Sequence, residues 1–236
     1  MTLRTSPYYI TICAFLLLGA SEPCSARDGG KRWVETASWE GHGEIRTRPF
    51  YIAGGKWRVK FYPDGKGPFS IDICNAAAET VGTAAVSSRV IPGWRTFSDS
   101  AGYRHLHIKG KNNTAWRVTV EQLMTVQEQW GLTQHQKKHR PVYRQVGVLA
   151  GNGREDVRRF VLTMQDNSWR VVVRNEDDKN LKMLLRTGEG ETVMEGNLSK
   201  RGSIESWGYA PGDHVLEIEG VGSSWSVELF DAELSE

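Results

Sequence analysis

The segment Gly102-Tyr103-Arg104-His105-Leu106-His107-Ile108-Lys109-Gly110 is answered 110 residues later by Gly212-Asp213-His214-Val215-Leu216-Glu217-Ile218-Glu219-Gly220. Apolar and polar residues alternate in both, between two glycines, which is the period-two pattern of a half-buried strand bounded by turns. The correspondence extends outward. Downstream, Trp116-Arg117-Val118 recurs as Trp225-Ser226-Val227 at a spacing of 109. Upstream, Phe69, Ile71 and Ile73 recur as Leu181, Met183 and Leu185, and Trp57-Arg58-Val59 as Trp169-Arg170-Val171, both at 112. Further upstream, Glu40-Gly41-His42-Gly43 recurs as Ala150-Gly151-Asn152-Gly153, and Arg48 and Phe50 recur as Arg158 and Phe160, at 110. Matches in one order with shifts of a residue or two predict a tandem duplication of about 90 residues.

Each repeat reads as short alternating runs separated by turn chemistry, at Pro63-Asp64-Gly65-Lys66-Gly67, Pro92-Gly93, Asn152-Gly153 and Pro211-Gly212. The expected fold is all-β: two tandem antiparallel β-sandwiches of about 90 residues each, with Greek-key or jelly-roll connections. The first is expected over residues 27–126 and the second over 143–236, joined by a basic polar linker, 127–142. Glu121 to Trp130 is the best helical candidate. His135 and His139 stand four apart in the linker, but no acidic or cysteine partner is nearby and Pro141 follows, so a solvated connector is the plainer reading.

Composition excludes a collagenous, wholly disordered or polytopic membrane protein, since 39% of the 236 residues are hydrophobic and 25% charged. Residues 1–26 read as a secretory signal peptide. Arg4 supplies the charge, Tyr8 to Ala20 an apolar stretch broken only by Thr11, and Cys24-Ser25-Ala26 the small residues of a cleavage site. Thirteen apolar residues make about 20 Å of helix, too short for a hydrocarbon core of roughly 30 Å. The expected location is therefore periplasmic or extracellular, with no transmembrane helix in the mature chain. Cleavage removes Cys13 and Cys24 and leaves Cys74 alone, so the fold must hold by its core. Alternation in Phe69-Ser70-Ile71-Asp72-Ile73-Cys74 places the thiol with Ser70 and Asp72, off the core face, where solvent could reach it, although an inert thiol covered by neighbouring loops is the plainer reading.

Few residues invite chemistry. Gly41-His42-Gly43 lacks the third glycine and following helix of a dinucleotide site and reads as a tight turn with positive φ, in both repeats. His105 and His107 are the metal candidates, because alternation points both imidazoles to one face beside Lys109. A third ligand is missing and Lys109 opposes a cation, so a solvent-exposed strand face is the plainer reading and no metal or other cofactor is expected. Asn175-Glu176-Asp177-Asp178 reads as a solvated hairpin tip rather than a calcium loop. Neither a Gly-x-Ser-x-Gly elbow nor a His-Glu-x-x-His helix is present, and Ser206 and His214 stand in no recognisable motif, so the protein is expected to be non-catalytic. Of nine tryptophans, Trp57, Trp116, Trp169 and Trp225 read as core anchors, and Trp33 and Trp39 align with Tyr143 and Leu149. Trp94, Trp130 and Trp207 lack apolar counterparts and are the candidates for ligand contact, as sugar platforms or as caps on the core.

The order Phe160-Val161-Leu162, Trp169-Arg170-Val171, Leu181 to Leu185, Pro211-Gly212-Asp213-His214-Val215-Leu216-Glu217-Ile218 and Trp225-Ser226-Val227 resembles the bacterial pre-peptidase C-terminal type of jelly-roll domain. The resemblance covers residues 33–122 and 143–231; the aspartate-rich entry of that family is reduced here to Asp156. It implies a non-catalytic extracytoplasmic accessory or binding role, with a glycan or envelope protein as partner and no nucleic acid. A small hydrolase acting on a cell-envelope polysaccharide and a structural spacer or assembly subunit remain the alternatives. Charge adds a second expectation. Residues 27–120 carry 15 Lys and Arg against 8 Asp and Glu, whereas residues 145–236 carry 10 against 17. Opposite fields favour docking of unlike repeats, within one chain or head to tail between chains.

Overall fold

The computed structural model describes residues 30–65, 67–87, 91–111, 114–152, 157–164 and 168–233. The leader with Cys13 and Cys24, and Gly153 and Asp156 of the second repeat, lie outside the described residues. In the first half the strands are β1 (Arg32–His42), β2 (Glu44–Arg46), β3 (Phe50–Ile52), β4 (Gly55–Asp64), β5 (Phe69–Asn75), β6 (Thr80–Ser87), β7 (Gly93–Asp99), β8 (Gly102–Gly110) and β9 (Ala115–Met124). A single helix, α1 (Val126–Lys138), leads to the second half. There the strands are β10 (Val142–Gly151), β11 (Val157–Met164), β12 (Trp169–Asn175), β13 (Leu181–Thr187), β14 (Thr192–Leu198), β15 (Gly202–Gly208), β16 (Gly212–Glu219) and β17 (Trp225–Glu233).

Every paired strand runs antiparallel to its neighbour, and the two halves share one order. One layer of the first half is β1-β9-β4-β7 and the other contains β2-β8-β5-β6, with β3 also on β8; the second half has β10-β17-β12-β15 against β11-β16-β13-β14. This is the jelly-roll arrangement, an all-β sandwich. The residues matched at spacings of 109–112 fall in corresponding strands, Trp57 in β4 and Trp169 in β12, Trp116 in β9 and Trp225 in β17.

The anchoring tryptophans explain several glycines. Trp116 and Trp225 lie across Gly41 and Gly151, their register partners, where an added Cβ would sit 2.8 and 2.4 Å from the indoles. Trp57 stacks on Phe97 at 4.8 Å, whereas Trp169 lies directly on the backbone of Gly208. Only Gly43, of the first glycine pair, has positive φ (72°). A Cβ there would meet the carbonyl of Glu195 at 2.2 Å.

That close approach marks the main departure from two beads on a linker. Glu44 of β2 pairs with Glu195 of β14, which joins the halves into one nine-stranded sheet. Most buried apolar residues of both halves form one continuous cluster, with Trp207 and Tyr209 in a separate small one. Each of β2 and β14 would otherwise present an unpaired edge, and pairing them satisfies those backbone groups. The expected linker is also corrected: residues 126–138 are helical, started by a capping box in which Thr125 Oγ1 accepts from Glu128 N–H (3.2 Å) and Glu128 answers the Thr125 amide (2.7 Å). Glu121 to Met124 belongs to β9, where the alternation of Trp116, Val118 and Val120 simply continues. Only Leu132 of the helix is buried.

Candidate functional site: a basic cleft over a buried polar seam

β1 and β15 end their respective four-stranded sheets, and β15 packs over β2 and β14 at the junction. Between these two inner edges lies a cleft of about 1010 Å³. Its wall carries Arg46, Arg48, Arg170, Arg174, Lys200 and Arg201, against Glu40 and Glu205. Some of this charge is answered. Arg46 pairs with Glu191 (2.5 Å), Arg174 with Glu228 (3.1 Å), Arg170 with Glu205, and Arg201 donates to the carbonyl of Glu176 (2.8 Å). Arg48, from the first half, and Lys200, from the second, are exposed and form no ion pair among the described residues.

Beneath the cleft, β2 and β14 splay beyond their single bridge, and Ser206 of β15 fills the gap. Its hydroxyl accepts the Arg46 amide (3.0 Å) and donates to the Val193 carbonyl (3.0 Å). Tyr209 follows, donating to the Thr47 carbonyl (2.7 Å) and stacking on His105 at 3.7 Å. Ser206 is thus a structural bridge, and His214 stands apart, edge-on to Trp169 and donating Nδ1–H to the Gly212 carbonyl (3.0 Å). No nucleophile, base and acid converge there.

The two faces read separately from alternation lie side by side, since Cys74, Asp72 and Ser70 of β5 register with His105, His107 and Lys109 of β8. They are not solvent-exposed as expected. His105 is 1% exposed, His107 6% and Cys74 4%. Tyr209, contributed by the other half, roofs the face at His105, which alternation within one strand cannot reveal. Burial drives the Cys74 thiol pKa upward, so it is an inert thiol rather than a reachable one. Burial, then the Arg46 guanidinium and His107, push the His105 pKa down to about 3. Burial also lowers that of His107, whose Nε2 donates to Glu44 (2.7 Å). Arg46 lies alongside, and no group of three or more His, Cys, Asp or Glu residues placed to hold a metal ion occurs among the described residues.

The remaining candidates separate. Trp94 and Trp130 are each 67% exposed, on β7 and α1, whereas Trp207 is 2% exposed and packs edge-on against Tyr143 at the junction. His135 stacks on Tyr51 at 3.8 Å and lies 4.4 Å from the ring of His139. The 175–178 turn is tied to its surroundings: the Asn175 amide donates to the carbonyls of Lys179, Leu198 and Lys200, and Asp177 accepts the Ser224 amide at 2.7 Å. The basic cleft was missed in the sequence because its cations come from segments more than 100 residues apart. Arg48 recurring as Arg158 was the only signal, and it pointed to a repeat rather than a site. No helix of the described residues is long and apolar enough to cross a membrane.

No family model and no curated protein matches the sequence. Among solved structures, a conserved protein of unknown function from Pseudomonas aeruginosa PAO1 is similar at 10% identity, over 86% of this chain and 83% of its own, with a TM-score of 0.26. The PBSX exported protein XepA gives 10%, 86% and 86%, with 0.27. HutD from Pseudomonas fluorescens SBW25 gives 14%, 85% and 78%, with 0.23. Similarity at this level transfers no function.

Proposed function

We propose that the protein is an exported, non-catalytic binding module made of two copies of one jelly-roll domain, with its ligand seated in the cleft between them. The cleft carries the reading: a large concavity at the junction, walled by exposed cations from both halves, is where one would expect a ligand on a scaffold of this kind. The duplication is supported by matched residues that occupy corresponding strands. Export is supported by the charged, apolar and small-residue segments of the leader. The accessory role is the one implied by the pre-peptidase resemblance.

Two measurements test this. Mass spectrometry of the exported protein is expected to find Arg27 at or near the amino terminus and, after denaturation, one thiol open to alkylation; an intact Met1 on exported protein overturns the leader. Titration of the mature chain with cell-envelope glycans, followed by tryptophan fluorescence, is expected to saturate without product. Turnover of the glycan would replace the binding reading with the hydrolase.

A further inference from the structure

We infer that the cleft takes an acidic glycan chain, its oxyanions held by the guanidinium and ammonium groups and its hydroxyls by the neutral polar wall. The inference rests on the binding-module reading and narrows it to a ligand class.

The first support is charge. Arg48 and Lys200 face one concave surface from the two halves with no ion pair among the described residues, beside exposed Arg174 and Arg201. Like charges gathered in a recess repel one another, and the low-dielectric wall concentrates their field outward, raising the local concentration of anions. Guanidinium forks suit carboxylate and phosphodiester oxygens alike. The oxyanions can therefore come from uronic acids or from phosphodiester links between sugar units.

The second support is the rest of the wall. Ser38, Asn180, Asn197, Ser199 and Ser203 place hydroxyls and amides among the cations. Such hydroxyls and amides match sugar hydroxyls. An aromatic base-stacking platform is lacking, because Trp207 is buried and Trp39 packs on Phe50 at 5.5 Å, which disfavours a single-stranded nucleic acid. At about 1010 Å³ the cleft reaches the upper end of small-ligand sites, roughly 300–1,000 Å³, so an oligomer fits better than one sugar.

The test uses the mature full-length chain and calorimetric titration with oligogalacturonate, its methyl ester, a poly(glycerol phosphate), poly-glutamate and single-stranded DNA. Arg48→Glu and Lys200→Glu break no ion pair and are expected to keep the wild-type melting temperature. An acidic glycan should bind, its methyl ester should not, and the double variant should weaken binding roughly tenfold or more, since each removed contact is charge-assisted. Lys137→Glu, exposed on α1, is the control and should stay within about twofold of wild type. Preference between the uronate and the phosphodiester polymer identifies the source. Binding of the methyl ester with the double variant unaffected overturns the acidic class and leaves the binding module standing. Equal affinity for poly-glutamate, DNA and acidic glycan reduces the cleft to general electrostatics and overturns the glycan. Silence toward every glycan overturns both readings.

Discussion

Trp57 and Trp169 hold the same place in β4 and β12, yet each is accommodated differently, one by the ring of Phe97 and the other by the absent side chain of Gly208. Both are buried to within 1% of complete. Trp57→Ala and Trp169→Ala should therefore each cost roughly 3–5 kcal/mol, read as a shift in urea midpoint; a loss below about 1 kcal/mol would place them off the core. His105 carries the pH prediction. Its folded pKa of about 3 lies below the ordinary histidine value, with burial as the main cause. Between roughly pH 6.5 and 3 the unfolded chain binds a proton that the folded one refuses, so stability falls as pH falls, by up to about 1.4 kcal/mol per unit. His107 and His214, also lowered, act in the same direction. Unfolding midpoints measured from pH 7.5 to 4.5 should decline in the wild type and decline less steeply in His105→Leu; equal slopes would remove His105 from the linkage. That Cys74 lies on the face of Asp72, and His105 on that of His107, was legible from alternation alone. Their adjacency and burial were not, because β5 and β8 pair across the sheet and Tyr209 arrives from just beyond β15, more than 100 residues away.

At the scale of elements, the jelly-roll strands were legible because a period of two survives any tertiary context that buries one face. α1 was not. Its residues are polar almost all round, so no apolar stripe announced it, and the signal was the local Thr125 and Glu128 pair that starts it. Thr125→Ala should cost about 1 kcal/mol and speed proteolysis between Lys138 and Pro141, where the helix ends. β15 shows a second kind of hidden information. Its Ile204 and Trp207 are buried, and Ser206 between them, which stood in no motif, holds the splayed β2 and β14 together. Ser206→Ala would strand a buried amide and a buried carbonyl, at a cost of about 1–3 kcal/mol. Hydrogen exchange should then quicken at the Arg46 amide before it does in β4 or β12. Uniform quickening across both halves would mean that the bridge has no local role.

The whole molecule joins two surfaces of opposite sign, 15 cations against 8 anions in residues 27–120 and 10 against 17 in 145–236. The halves meet through one backbone bridge, through Trp207 and Tyr209, through the Arg46 and Glu191 ion pair, and through the apolar cluster that runs across both. Each half also has its own facing layers and its own tryptophan anchors, enough apolar burial for a domain of this size. Segments 27–125 and 141–236, expressed separately, should therefore fold and then bind one another when mixed. Long-range attraction between unlike charges mainly accelerates encounter, so the association rate should fall steeply as salt rises from about 10 mM to 1 M, over which the screening length shrinks roughly tenfold. The buried contacts at Tyr209 and Ser206 are screened far less, so dissociation should change little. Glu191→Lys should slow association further, and restoring the pair with Arg46→Glu in the other segment should not recover full affinity, because Arg46 is 6% exposed and its backbone is tied to Ser206. Intact chains have this surface already occupied within themselves, which predicts that a salt series on the full-length protein leaves sedimentation unchanged while the separated halves respond. Salt-dependent self-association of the intact chain would instead mean that the remaining charge docks molecules head to tail, and that the internal junction has not exhausted the complementarity of the two halves.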